Sequence, residues 1–236
     1  MLQKLPYKSK RIVDVLSKGQ PILIFDAENR EGETDIFFSA KYVTDTSVRF
    51  LRQKGGGMVF LASDYSISKK LGLPFVNDIY KFVSTNSEEF NILSKMSSHS
   101  LPYDIRSSFS IFINHKKTFT GITDHDRALT AKSFSDLCES SLLLQDNEAQ
   151  NQFSNNFRSP GHVPICIADS NLLEGRQGHT ELIIALLKLI NLPPIAIGCE
   201  MLSETGHSLP PEEAKTWALS QGYLFLEGRS IVEACQ

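Results

Sequence analysis

Apolar and polar positions recur along this chain with two different periods, and each change of period marks an element. Ile12, Val15 and Leu16 stand at helical spacing among Lys and Ser residues, and Gly19 ends that run just before a proline. Residues 21–26 (PILIFD) and 35–40 (DIFFSA) are short apolar runs rich in β-formers, separated by a polar stretch; they predict two strands that can pair antiparallel. A capped helix around 46–54 follows, stopped by Gly55, Gly56 and Gly57, and then a third strand at 58–62. Residues 64–71 fit a short helix, whereas 80–106 are polar and weakly periodic and read as a long connection with local helix at most.

Beyond that connection, 107–114 (SSFSIFIN) alternate as a strand does, and Thr123 and Asp124 cap a helix running through Ala128 toward Leu137. Residues 147–159 are Asn/Gln-rich and read as a loop. Four elements then follow: a strand at 164–168, a nearly all-apolar helix at 180–190, a strand at 195–201 and a surface helix at 212–220. A last strand fits 223–226. Alternating strands and helices, with strands apolar on both faces, predict an α/β (α+β) fold: a mixed β-sheet layered with helices. No repeat and no Pro/Ser linker divides the chain, so residues 1–236 read as a single domain.

Composition narrows the function classes. With 24 Lys and Arg against 27 Asp and Glu, the net charge is −3, and no basic stripe marks a nucleic-acid surface, although a small anionic ligand stays possible. The first residues are charged throughout and lack the apolar run of a signal peptide, and the apolar stretch 182–187 is too short to span a bilayer. Cys138, Cys166, Cys199 and Cys235 lie far apart without a Cys-x-x-Cys pair, which argues against a zinc ribbon or redox dithiol and for reduced thiols. The expectation is a soluble cytoplasmic protein that binds neither nucleic acid nor membrane.

Five stretches carry candidate chemistry. Residues 28–35 (ENREGETD) put Glu28, Glu31, Glu33, Asp35 and Arg30 in one strand connection. That pattern suits either an acidic surface turn or a hard-cation site with an arginine for phosphate, and Gly32 lets backbone approach a ligand. Arg176, Gln177, Gly178, His179 and Thr180 enter the apolar helix, where exposed N–H groups attract anions. Residues 119–127 (FTGITDHDR), with Thr120 and Thr123, read first as helix capping and second as phosphate donors. His162 lies in a Ser-Pro-Gly-His segment before a strand, a setting in which a lone histidine is usually solvated. Glu200 ends a buried apolar run, which is costly for a carboxylate without a partner or a function. His99, His115, His125 and His207 show no metal-ligand spacing and read as solvated rings, and phosphate-loop and serine-hydrolase motifs are missing.

Taken in order, FDAENREGETDIFFSA (25–40), FTGITDHDRALT (119–130), FRSPGHV (157–163), RQGHTE (176–181) and the Cys-Glu pair at 199–200 resemble the 3,4-dihydroxy-2-butanone 4-phosphate synthase family, nearly end to end. The resemblance implies conversion of ribulose 5-phosphate to L-3,4-dihydroxybutan-2-one 4-phosphate and formate in riboflavin biosynthesis. It implies Mg²⁺ (or Mn²⁺), two ions per active site, with no organic cofactor, and a homodimer with active sites near the subunit boundary. By motif position, Glu31 and His179 correspond to metal ligands. Arg30, Glu31, Asp35, Thr120, Thr123, Arg176, Gln177, Gly178, His179, Thr180 and Glu200 correspond to substrate contacts, and His162, Glu200 and Asp35 to acid/base groups. The chain departs from the pattern at Phe60, where many members carry cysteine, and at IADSNLLEG (167–175), where many carry Arg and a Gly-Gly. Two other readings stand beside this one: another metal-dependent sugar-phosphate isomerase or aldolase, and a non-catalytic phospho-ligand-binding relative.

Overall fold

The structure, a computed structural model, describes residues 5–97, 104 and 106–236. Within them one mixed sheet contains β1 (Ile22–Phe25), β2 (Thr34–Ser39), β3 (Phe60–Ser63), β4 (Phe109–His115), β5 (Phe157–Ile167), β6 (Ile195–Glu200) and β7 (Leu224–Glu227). Their spatial order is β4-β5-β3-β6-β2-β1-β7. β1 pairs antiparallel with β2, as the short polar connection between them suggests, and parallel with β7. β6 is antiparallel to both β2 and β3, and β3 is parallel to β5.

The helices are α1 (Ser9–Ser17), α2 (Asp45–Lys54), α3 (Tyr65–Lys70), α4 (Val76–Asn86), α5 (Asn91–Ser97), α6 (Asp124–Ser141), α7 (Asp146–Asn156), α8 (His179–Leu189), α9 (Pro211–Ser220) and α10 (Gly228–Cys235). Alternating side chains of the central strands feed two cores. Ile36, Phe38, Leu61 and Ile197 pack under α2, α3, α6, α7 and α9, whereas Phe37, Ala62 and Ala196 pack under α1, α8 and α10. Every residue of β2 is buried, which is why Ile36, Phe37 and Phe38 follow one another without a polar position between them. α8 is buried from His179 through Leu187 because it lies against the sheet along its length. Gly19, at φ +66°, ends α1 in the left-handed region open to glycine.

Three sequence expectations are corrected. Residues 147–159 are not a loop: α7 covers most of them, and β5 begins at Phe157 rather than at 164. Asn and Gln disfavour a helix only mildly, and tertiary packing outweighs that. Glu148 Oε2 accepts the Gln145 N–H at 3.0 Å, Ala149 is buried, and Phe153 stacks on Phe157 at 5.3 Å. Residues 76–86 and 91–97 fold as α4 and α5, with no fully buried residue in either; in α4 the spacing of Val76, Ile79, Tyr80 and Val83 is helical. The rest of the expected long connection, 98–103 and 105, lies outside the described residues, as does His99. His115 is buried, not solvated: its ring meets Phe157 edge-on at 5.3 Å and accepts the Lys117 N–H. α10 was not foreseen at all.

None of the four cysteines forms a disulfide. Among the described residues no helix is long and apolar enough to cross a membrane.

Candidate active site

Asp26 follows β1 directly and organises the acidic turn. Its two carboxylate oxygens accept the N–H groups of Glu31 and Glu33, each at 3.1 Å, and Gly32 at φ +66° makes the reversal between them. The turn is thereby folded over one buried carboxylate and delivers Glu31 and Glu33 to the mouth of β2. Asp35, two residues on, lies directly opposite Glu200 across the β2–β6 pair. His179 opens α8 beneath them: Nδ1 is 3.4 Å from Glu31 Oε2, and Nε2 is 3.1 Å from the Glu33 carbonyl and 3.6 Å from Asp35 Oδ1. Glu200 is held at the other side, where its Oε1 accepts the Met58 N–H at 3.2 Å.

The electrostatics follow from crowding acids around one buried imidazole. Burial pulls His179 down, yet Asp35, Glu31 and Asp26 outweigh it and lift the ring to about 9. Burial pushes Asp35 up, the imidazolium opposes it, and Glu31, Glu200 and Glu33 add to the rise, leaving Asp35 at about 7. Glu31 is pushed up by burial, but the His179 hydrogen bond and charge and the two arginines win, holding it below its ordinary value. At neutral pH the cluster therefore holds a proton on His179 and has a carboxyl, Asp35, near its own midpoint.

Two arginines border the acids. Arg176 bonds Glu181 through Nη1 at 2.6 Å and Asp104 through Nε at 2.7 Å, with Glu31 Oε1 3.7 Å from Nη2. Arg30 reaches the same Asp104 with both terminal nitrogens, at 3.0 and 3.3 Å. Glu181 is fully buried and also accepts the Asp169 N–H at 2.9 Å, so it fixes the direction of Arg176 from inside the fold. Gly178 has a matching role, since a Cβ there would run into the Arg176 guanidinium.

A cleft of about 250 Å³ opens between these groups, lined by Glu31, Asp35, His179, Thr180, Arg176 and Glu200 together with Phe60 and Cys166. A larger cavity, about 970 Å³, lies on the other side of Arg176 and takes in Arg30 and Gln177. Asp26, Glu31 and His179 each offer a ligand atom, and these atoms lie within 4.8 Å of one another.

Of the residues singled out in the sequence, Arg30, Glu31, Asp35, Arg176, Gly178, His179, Thr180 and Glu200 converge here. Gln177 is exposed and turns back to the Leu173 carbonyl. Thr123 caps α6 by accepting the Asp126 N–H, and Thr120 bonds Asp126. Neither threonine nor His162 lines the cleft. β5 is separated from β6 by β3, which puts His162 about two strand spacings, roughly 10 Å, from the strand of Glu200. Sequence reasoning missed Asp26 and Asp104, and it included Glu33 and Glu181 in its motifs without giving either a role. Asp26 carries the signal that marked Glu200, an acid closing a buried strand; Asp104 sits in a stretch without pattern and carried none.

A family model for 3,4-dihydroxy-2-butanone 4-phosphate synthase matches residues 10–234. The synthase of Methanothermobacter thermautotrophicus is 38% identical over 220 residues, 93% of this chain and 92% of that protein. The synthase of Archaeoglobus fulgidus is 41% identical over 217 residues, 92% of this chain and 89% of the relative. Among solved structures, the synthase of Candida albicans superposes with a TM-score of 0.70 at 23% identity, covering 96% of each chain. A synthase solved in complex with two magnesium ions gives 0.69 at 19%, covering 95% of this chain and 94% of that one. With a family model spanning residues 10–234 and relatives about 40% identical matched over nearly their whole length, the chain belongs to the 3,4-dihydroxy-2-butanone 4-phosphate synthase family.

Proposed function

We propose that this chain, acting as one catalytic domain, converts ribulose 5-phosphate to L-3,4-dihydroxybutan-2-one 4-phosphate and formate, a step of riboflavin biosynthesis, with Mg²⁺ or Mn²⁺ and no organic cofactor. The observation that carries the reading is the meeting of Glu31 and His179 with Asp35 and Glu200 in a cleft bordered by Arg176. The donor set fits the ion: carboxylate oxygens suit Mg²⁺ and Mn²⁺, a single imidazole is tolerated, and no thiolate is among the clustered ligand atoms. Glu31 and His179 would hold the cation, with Asp26 close enough to support it, and two ions per site are proposed by analogy with the magnesium-bound neighbour. When bound, the cation supplies Lewis-acid polarisation of the substrate's carbonyl and hydroxyl oxygens.

The chain's own groups do the rest. Asp35 is placed to give or take a proton at a substrate carbon, and Glu200 faces it from the next strand. Arg176, with Arg30 and the first turn of α8, fixes the phosphate, so binding energy from the non-reacting end orients the reacting carbons. Thr120, Thr123 and His162 belong to a separate patch at the same end of the sheet. Phe119 there is 93% exposed, Ile122 52% and Phe112 42%, more apolar surface than a solvated loop ordinarily leaves open. We assign that patch to a homodimer boundary near the active site, where the two threonines serve the phosphate and His162 acts as a further acid or base. The reduced thiols fit a cytoplasmic location.

Formate detection coupled to ribulose 5-phosphate consumption tests the reading. Equimolar formate with Mg²⁺, and none with EDTA, is expected; consumption without formate would make the chain an isomerase or aldolase. Glu31→Gln and His179→Ala should each abolish turnover while circular dichroism stays unchanged.

A further inference from the structure

We infer that Asn114 is a positioning residue for His162: its side-chain amide holds the imidazole in the form protonated on Nε2 and ties it to the loop at 118–123. Asn114 sits near the end of β4 and is 2% exposed, and its side chain is the meeting point of two segments that are distant in sequence. Its Oδ1 accepts the His162 backbone N–H at 2.9 Å. Its Nδ2 lies 3.0 Å from His162 Nδ1 and 3.4 Å from the Thr120 carbonyl.

The orientation of this amide is decided by its partners. A backbone N–H can only donate, so the atom facing it is oxygen, and a carbonyl can only accept, so the atom facing Thr120 is nitrogen. The NH₂ group therefore also faces His162 Nδ1, which must present a lone pair. The neutral ring then carries its proton on Nε2, pointing away from β4 as a donor. Two glycines permit the arrangement. A Cβ at Gly121 would run into the Asn114 amide, and a Cβ at Gly161 into the backbone at Ile113 and Asn114, so both loops press directly onto the strand. Buried, and bonded on both sides, the amide keeps its direction although the histidine itself is exposed. The inference rests on the reading of His162 as an acid/base group: for that group it means that the first hydrogen bond offered to substrate comes from Nε2–H.

Long-range ¹H–¹⁵N spectra of the full-length protein labelled in histidine, taken above the ring's titration, measure this directly, and His162→Gln assigns the signals by removing them. A pyridine-like Nδ1 and a pyrrole-like Nε2 are expected, and the reverse overturns the inference. An untethered imidazole already leans modestly toward that form, so the variants decide. Asn114→Asp keeps an oxygen for the His162 N–H but puts an acceptor where the donor was, and it should move the proton to Nδ1; an unchanged pyridine-like Nδ1 overturns the inference. Asn114→Leu should mix the two forms and lower kcat roughly tenfold with KM within about twofold, a share of what a general acid contributes. Raised KM at unchanged kcat would make Asn114 a structural tether only. Should the Leu variant fail to fold, the wild-type and Asp spectra still decide. If His162→Gln turns over at the wild-type rate, the acid/base role of His162 falls, while the spectra report on Asn114 independently.

Discussion

Binding of a divalent cation at the Glu31–His179 pair should expel a proton, because the ring that would ligate it is held at about 9 by Asp35, Glu31 and Asp26. An imidazole must be neutral to coordinate, so a titration of cation-depleted protein with Mn²⁺ competes with that proton. Expected release is about one proton per site at pH 7.5, falling to about a quarter at pH 9.5. Apparent affinity should rise roughly 50-fold between pH 7 and pH 9, then level off. Below pH 7 the dependence should steepen, since Asp35 titrates near 7 in the same cluster and a nearby cation expels its proton too.

Calorimetry in two buffers of different ionisation enthalpy measures the proton count at fixed pH, and repeating it across the range gives the affinity slope. The reasoning fails if no proton is released at pH 7.5 and the affinity is flat from 7 to 9. His179 would then lie outside the cation's ligands, and the acidic turn would bind the ion alone or not at all. Glu31→Gln offers the internal control, because it removes a charge-bearing oxygen without removing the ring, and should weaken binding while leaving a smaller proton release.

Three further outcomes are expected. Without cation, thermal stability should fall as pH rises. His179's folded value is raised above 6.5, so its contribution is complete below 6.5 and lost through about 9; Asp35's is raised above 3.8, so its contribution fades as pH rises through about 7. Scanning fluorimetry in EDTA should show Tm declining from pH 6.5 to 9.5, and saturating Mn²⁺ should flatten the decline. Glu181→Ala removes the buried partner of Arg176, which keeps Asp104, and should cost about 1.5–3 kcal/mol in urea unfolding, with KM raised more than kcat is lowered. Gly56→Ala should lower kcat roughly tenfold, because its Cβ would meet Glu200 Oε1 and Leu202 and shift the carboxylate from the Met58 N–H; a wild-type rate with an unchanged fold would remove the Gly55–Gly57 turn from the site's support.

Where burial imposes a period, the sequence could be read. β2, β6 and α8 are buried along most of their length, and each was visible as an apolar run. α4 carries Val76, Ile79, Tyr80 and Val83 at helical spacing, a stripe the reading passed over and none of which is fully buried, while α7 sets Phe153 against Phe134 of α6, a contact that no local window contains. The site divides the same way. Glu31, Asp35, Arg176, His179 and Glu200 stood in dense or costly local settings and could be singled out. Asp104 was not, since its meaning comes entirely from two arginines at positions 30 and 176, and His115 was misjudged because only the fold supplies Phe157 to cover it.

The acidic cluster is itself an argument about why a cation belongs there. Like charges set directly opposite on paired strands destabilise a sheet, and β2 and β6 place Asp35 against Glu200 in that way. The strands cannot slide to relieve it: Phe37 and Ile36 of β2 are fully buried on opposite faces, and a one-residue slip would send each to the wrong core. Glu31 and Glu33 are tied to the same place by the Asp26 carboxylate. With the negative charges fixed by packing, relief comes from positive charge, which in the cation-depleted protein is the proton on His179 together with the Arg30 and Arg176 guanidinium groups beside Glu31. A divalent ion supplies more of it at the same point, so part of its affinity is drawn from repulsion that the folded core already maintains.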